Sequence, residues 1–269
     1  MSRLAATFAQ LNAQKRAAFI PFLVAGYPDI KTSADLVKAS AQAGADIIEI
    51  GVPFSDPIAD GPVIQAAFSR ALDKGFRVAQ VFEMVRALRN DGIKTPLVFM
   101  ISYTLVFKRS LDGFLQECQR CGVDGLIMPD LPAGYEGDAA ERCAAAGIDL
   151  IFLVAPTTPP ERCKLIAQRS RGFIYYISIT GITGARTALP ADLAQRVASV
   201  RALTRTPVCV GFGISQPEQA AAVRAAGDGV IVGSALVKKV DEALAQNLSG
   251  AALVKHVVSL VENLAKACH

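Results

Sequence analysis

One junction recurs four times along this chain, and it limits the possible folds more than any other feature. Ala43-Gly44-Ala45-Asp46 leads into Ile47-Ile48-Glu49-Ile50, and Cys121-Gly122-Val123-Asp124-Gly125 leads into Leu126-Ile127-Met128. Ala146-Gly147-Ile148-Asp149 leads into Leu150-Ile151-Phe152-Leu153-Val154, and Ala226-Gly227-Asp228-Gly229 into Val230-Ile231-Val232. In each copy a glycine in a left-handed cap is expected to end a helix, after which a tight turn enters a buried strand. The strands are rich in β-branched residues, as parallel strands covered on both faces are. Four copies of one helix-to-strand unit imply a repeated βα architecture.

Strands are expected over 19–26, 46–52, 96–102, 125–130, 149–155, 173–179, 207–214 and 229–234. Between them, helical segments fall over 62–74, 78–91, 110–121, 136–146, 160–169, 190–203 and 216–226. Leu4, Phe8 and Leu11 have helical spacing and give an opening helix over 3–15. Thr32 or Ser33 is expected to cap the next helix, which carries Leu36, Val37 and Ala41 inward and stops at Gly44. Apolar tail helices fall near 235–245 and 251–267. Eight alternating units with no break in composition predict an α/β fold, a (β/α)8 TIM barrel. It would form a single domain over residues 1–269, with an extra N-terminal helix and a C-terminal helical tail. A doubly wound open sheet is the alternative.

Composition narrows the function. Apolar residues make up 52% and charged residues 19%, which suits a well-filled core, while no apolar run approaches the roughly 18 residues a membrane crossing needs. The N-terminus lacks the apolar core of a signal peptide, so the chain is expected to be cytoplasmic. A net charge of +4 is scattered, with no basic cluster interleaved with aromatics, which argues against nucleic-acid binding. Cysteines 118, 121, 143, 163, 209 and 268 form no paired framework and read as reduced, buried thiols. With histidine only at 256 and 269, proton transfer is left to carboxylates, tyrosine or lysine.

Glu49 is the residue that needs a reason. A carboxylate inside the run Ile47-Ile48-Glu49-Ile50 is costly unless it is paired or keeps its proton. Asp56 and Asp60 follow on a segment stiffened by Pro53, Pro57 and Pro62, where an α/β protein holds acids at the rim of a pocket. A structural ion pair would also place an acid near a strand end. Three acids after one strand favour chemistry over that explanation. Later, Gly181-Ile182-Thr183-Gly184, Gly211-Phe212-Gly213 and Gly233-Ser234 follow strands six, seven and eight. In barrels the last two loops and a helix N-terminus commonly cradle a phosphate, so Gly184, Gly213, Gly233 and Ser234 are candidate phosphate ligands. Tight turns alone would also use such glycines.

These residues are identifiable as a family pattern. Pro21-Phe22 with Ala25-Gly26-Tyr27-Pro28, the run from Glu49 to Pro57 with Ala59-Asp60-Gly61-Pro62, Gly125 to Pro132, Gly181 to Ala185 and Gly211 to Ser215 resemble the tryptophan synthase alpha subunit family over nearly the whole chain. The resemblance implies a reversible retro-aldol cleavage of indole-3-glycerol phosphate to indole and glyceraldehyde 3-phosphate. It implies no metal or organic cofactor for this subunit. Glu49 would deliver and accept protons, Asp60 would face the indole N–H, and Tyr175 would support them. Phe22 and Phe212, otherwise plain core aromatics, would pack the indole. The partner implied is a pyridoxal-phosphate beta subunit in an alpha2beta2 assembly, docked near the loop that holds Asp56.

The chain departs from the family in places. Many relatives carry a tyrosine and an asparagine two positions apart after strand three, where this chain reads Ile101-Ser102-Tyr103-Thr104-Leu105. Ile179 stands where many have arginine, and the loop from Gly184 to Pro190 is short. A stand-alone indole-releasing lyase, another phosphate-binding barrel enzyme, and a binding subunit that regulates a partner are the competing readings.

Overall fold

The computed structural model describes residues 1–178, 190–211 and 213–269. In chain order its elements are helix α1 (Arg3–Ala13), strand β1 (Ala18–Val24), α2 (Ile30–Gln42), β2 (Ile48–Gly51), α3 (Pro62–Asp73), α4 (Val78–Asn90) and β3 (Leu97–Met100). Next come α5 (Tyr103–Phe107), α6 (Leu111–Cys121), β4 (Gly125–Ile127), α7 (Ala139–Ala145), β5 (Asp149–Ile151), β6 (Leu153–Val154) and α8 (Pro160–Arg169). The chain continues through β7 (Ile174–Ile177), α9 (Leu193–Arg201), β8 (Val208–Gly211), α10 (Pro217–Ala226), β9 (Gly229–Val232), α11 (Ser234–Ala245) and α12 (Gly250–Cys268).

All strand pairs are parallel, in the order β5-β4-β3-β2-β1-β9-β8-β7-β6. The two ends of that order are pieces of one extended segment, parted only at Phe152. The sheet is therefore a nearly closed barrel, with helices alternating around it. The strand expected unbroken over 149–155 is interrupted because the Phe152 amide leaves the ladder for the Ser170 hydroxyl, 3.4 Å away. Its carbonyl still accepts from the Tyr175 amide at 3.0 Å, so the barrel stays joined there.

Three of the four junction glycines adopt the left-handed cap: Gly44, Gly122 and Gly147 have φ of 103°, 86° and 72°. Gly227 does not, with φ −125° and ψ 177°. Its reason is space, since a Cβ there would lie 3.0 Å from the Val208 carbonyl oxygen. The junction aspartates explain the rest of the motif. Asp46, Asp124 and Asp228 each accept the amide of a neighbouring strand residue, from Phe19 at 2.9 Å, Leu97 at 2.8 Å and Val208 at 2.8 Å. Asp149 accepts from the hydroxyl of Ser2, the N-cap of α1, at 2.6 Å. Together they bind the N-terminal rim of the barrel to itself and to α1.

The second helix is capped by Asp29, not by Thr32 or Ser33; its carboxylate accepts from the Thr32 amide at 2.8 Å. Helix α5 was not foreseen. Asp130, after β4, organises its first turn by accepting from the Ser102 hydroxyl at 2.6 Å and the Tyr103 amide at 2.7 Å. The tail helix α12 lies on its own barrel, burying Leu253, Val257, Val261 and Leu264, and it packs against α2, α10, α11 and β1. All six cysteines are buried and free. No helix among the described residues is long and apolar enough to cross a membrane.

Candidate active site

A pocket at the C-terminal ends of the strands is lined by Phe22, Glu49, Asp60, Ile64, Met100, Tyr175, Gly213, Ile214, Ile231, Gly233 and Ser234. Its own free volume is small, about 30 Å³, and the cavity beside it holds about 300 Å³. Strand β2 places Glu49 in register with Phe22 of β1 and Val98 of β3. Room for the aromatic rings comes from glycines on the neighbouring strands. A Cβ at Gly51 would lie 2.3 Å from Phe22 Cζ, and one at Gly211 would lie 2.5 Å from the Tyr175 hydroxyl. Those two positions tolerate no side chain while the rings stay where they are.

Glu49 is fully buried, and neither carboxylate oxygen has a hydrogen-bond partner among the described residues. Burial, and then the charge of Asp60, push its pKa up to about 8. Asp60 sits half-buried at the mouth of the pocket, in the loop between β2 and α3. Burial raises it to about 7. The Tyr175 hydroxyl is driven well above its usual range, first by burial and then by the nearby Glu49 and Asp60. Two acids that titrate near neutrality, side by side under an apolar wall, can exchange protons with a ligand at little driving-force cost.

At the other end of the pocket, Gly233 precedes α11 and Ser234 is its first residue. Amides in the first turn of a helix have no intrahelical acceptor, and with the helix dipole they favour an anion. Gly213 joins them with a left-handed φ of 80°. The expected ligands Gly184 and Phe212, and the departure at Ile179, lie outside the described residues. Asp56 is not brought to this pocket. It is exposed, accepts from the Ser55 hydroxyl at 2.6 Å, and lines a neighbouring cavity instead.

That neighbouring cavity shares Asp60 and Met100 with the pocket and is otherwise mostly apolar, with Val52, Phe54, Ile58 and Ile101. Sequence reasoning missed Met100, Ile64, Ile214 and Ile231. Met100 was legible in principle, because it closes β3 at the end of the barrel where ligands bind. The isoleucines carried no signal that separates a pocket wall from a core.

The model of the family described as tryptophan synthase alpha chain matches residues 8–268. Named relatives include the tryptophan synthase alpha chain of Rhodopirellula baltica, 44% identical over 100% of this chain and 97% of the relative. That of Gluconacetobacter diazotrophicus is 48% identical over 99% and 98%. Among solved structures, Mycobacterium tuberculosis tryptophan synthase superposes with a TM-score of 0.90 at 37% identity, covering 99% of this chain and 98% of that one. Tryptophan synthase subunit alpha from Legionella pneumophila gives 0.89 at 32%, covering 100% and 98%.

Proposed function

The chain belongs to the tryptophan synthase alpha chain family, and from that membership we propose that its pocket performs the alpha reaction, a carbon–carbon lyase step. Indole-3-glycerol phosphate is cleaved to indole and glyceraldehyde 3-phosphate. The observation that carries this reading is Glu49: a buried carboxyl with no hydrogen-bond partner among the described residues, facing a pocket whose far end is a helix N-terminus.

Protonated Glu49 gives its proton to indole C3, which places positive charge on the ring nitrogen. Asp60, ionised, accepts a hydrogen bond from the ring N–H and stabilises that cation. The Glu49 carboxylate then takes the proton of the glycerol hydroxyl next to C3. Its O–H electrons form the aldehyde C=O, and the carbon–carbon bond electrons return to the ring as indole leaves. Glu49 ends protonated, ready for another turnover. Phe22 packs the ring and Tyr175 supports the two acids. Gly213, Gly233 and Ser234, with Gly184, hold the phosphate, and Phe212 packs the indole with Phe22. The reaction needs proton transfer and charge stabilisation only.

The partner belongs to the same proposal. Ile58, Phe107 and Tyr135 are 82%, 72% and 75% exposed, and they follow the C-terminal ends of the adjacent strands β2, β3 and β4, with Ile58 lining the cavity next to the pocket. Large apolar groups grouped in that way fit a docking surface. They support contact with a beta subunit, in an alpha2beta2 assembly in the cytoplasm. An indole-release assay with and without beta subunit tests both parts. Release of indole that rises when the beta subunit is added is the expected result. No release in either condition would end the proposal.

A further inference from the structure

The seam between α3 and α11 carries a polar cluster that the chemistry above does not use. Arg70, on α3, donates from one nitrogen to the Tyr27 hydroxyl at 2.7 Å and to Asp241, on α11, at 2.5 Å. The Tyr27 hydroxyl donates to the same Asp241 oxygen. The Arg70 guanidinium carbon also lies 5.9 Å from the centre of the Tyr27 ring. Burial first, then the Asp241 hydrogen bond, push the Tyr27 hydroxyl up to about 12, so it remains a donor across the neutral range. The turn after β1, α3 and α11 therefore converge on one carboxylate.

Each helix carries one end of the pocket. Helix α3 starts at Pro62, two residues after Asp60. Its Gln65 side-chain amide donates to the backbone carbonyls of Asp60 at 2.9 Å and Pro57 at 3.4 Å. The acid loop is thus fastened to α3. Helix α11 starts at Ser234, where the anion-binding turn lies. At 1.5 Å per residue, Arg70 is about 12 Å along α3 from Pro62 and Asp241 is about 10 Å along α11 from Ser234. Two rods of similar length hold the two ends of the pocket, and the cluster joins the rods at a distance from the chemistry.

We propose that Arg70, Tyr27 and Asp241 are positioning residues that set the separation between Asp60 and the phosphate-binding turn. This rests on reading the pocket as spanning an indole and a phosphate. A spacing device has a signature that a general stabiliser lacks. A ligand held at one end does not sense the separation, whereas a ligand gripped at both ends does. The clamp therefore acts on the linked substrate and not on its fragments.

The test compares the whole chain with its Tyr27→Phe and Asp241→Asn variants by titration calorimetry and thermal melting. Three probes are used: indole, glycerol phosphate, and an uncleavable indole alkyl phosphate that spans the pocket. The spanning ligand is expected to bind about five- to tenfold more weakly to the variants, with the KM for indole-3-glycerol phosphate rising in step and kcat changing less. Each fragment is expected to bind within about twofold of its unmutated value. All three ligands weakening together, or the spanning ligand binding unchanged, overturns the proposal. So does failure of both variants to fold, which would make the cluster a structural one. An unmutated enzyme that cleaves the substrate, beside variants that bind the spanning ligand normally, sinks this inference alone. An unmutated enzyme that cleaves nothing sinks the functional reading, and this inference goes with it.

Discussion

The two rims of the barrel hold the same chemical group in opposite circumstances. At the N-terminal rim, Asp124 is 5% exposed, accepts the Leu97 amide at 2.8 Å, and meets Arg3 and Arg89 at 2.6 Å each. At the C-terminal rim, Glu49 is fully buried and has no hydrogen-bond donor among the described residues. One carboxylate is surrounded by donors and its neighbours depend on it; the other is left with its own proton to move. A buried acid that is satisfied contributes to stability, and one that is left unsatisfied contributes reactivity at a cost in stability.

The contrast breaks most visibly at Glu49. Glu49→Gln keeps the shape and removes the transferable proton, so indole release is expected to fall by about 10³- to 10⁴-fold with the fold retained. A variant releasing indole at the unmutated rate would remove the upper rim from the comparison. The pH profile sharpens the same point. Activity requires Asp60 ionised and Glu49 protonated, so kcat/KM is expected to rise as pH passes about 7 and fall as it passes about 8. These limbs belong to the coupled pair. A profile flat from pH 6 to 9, roughly the span that the two limbs should occupy, would contradict it.

At the lower rim the expected loss is stability instead of rate. Asp124→Ala takes the counter-charge from the mostly buried Arg89, which keeps only its bonds to the Gly122, Ile93 and Thr95 carbonyls, and leaves the Leu97 amide without its acceptor. Removing one partner of such a pair costs about 3–5 kcal/mol. Urea unfolding should show that shift, while activity per folded molecule stays near its unmutated value. Loss of activity in the folded variant would mean that the two rims are coupled.

Stability against pH reads the upper rim in the opposite sense. Burial lifts Glu49 from 4.5 to about 8, so between those values the native state keeps a proton that the unfolded chain has lost. The contribution is full below pH 4.5 and is lost as pH rises through about 8. In urea titrations from pH 5 to pH 9, the unmutated protein should lose stability relative to Glu49→Gln, by an amount on the order of a few kcal/mol. Parallel curves would mean that Glu49 is solvated or paired in solution.

Much of this arrangement was legible in the sequence because it comes from local chemistry. The glycine–aspartate junctions placed the strands, and Glu49 stood out as an acid in an apolar run. Other features depend on contacts distant in sequence. Asp29 replaced Thr32 or Ser33 as the cap, although all three have capping side chains, and the Ser33 hydroxyl meets the Gly26 amide and the Met84 sulfur instead. Helix α5 is only five residues long and is held by Asp130, 27 residues from the Tyr103 amide that it accepts, so no periodic pattern announced it. Gly227 shares its motif with three left-handed caps yet is required by the nearby Val208 carbonyl, which only the closed barrel brings close.

The smallest expected effect grades the lower rim itself. Asp228 occupies the same junction position as Asp124, but it is 30% exposed and its partner Arg201 is 49% exposed, at 2.9 Å. Water can therefore solvate whatever a substitution leaves behind, and the ion pair contributes little. What remains is the 2.8 Å hydrogen bond from the Val208 amide, which an asparagine oxygen can still accept. Asp228→Asn should accordingly cost about 1 kcal/mol or less in urea unfolding, several-fold below Asp124→Ala. Because Asp228→Asn keeps its backbone hydrogen bond, equal losses at the two positions would mean that the exposed Asp228–Arg201 pair contributes as much as the buried Asp124–Arg89 pair.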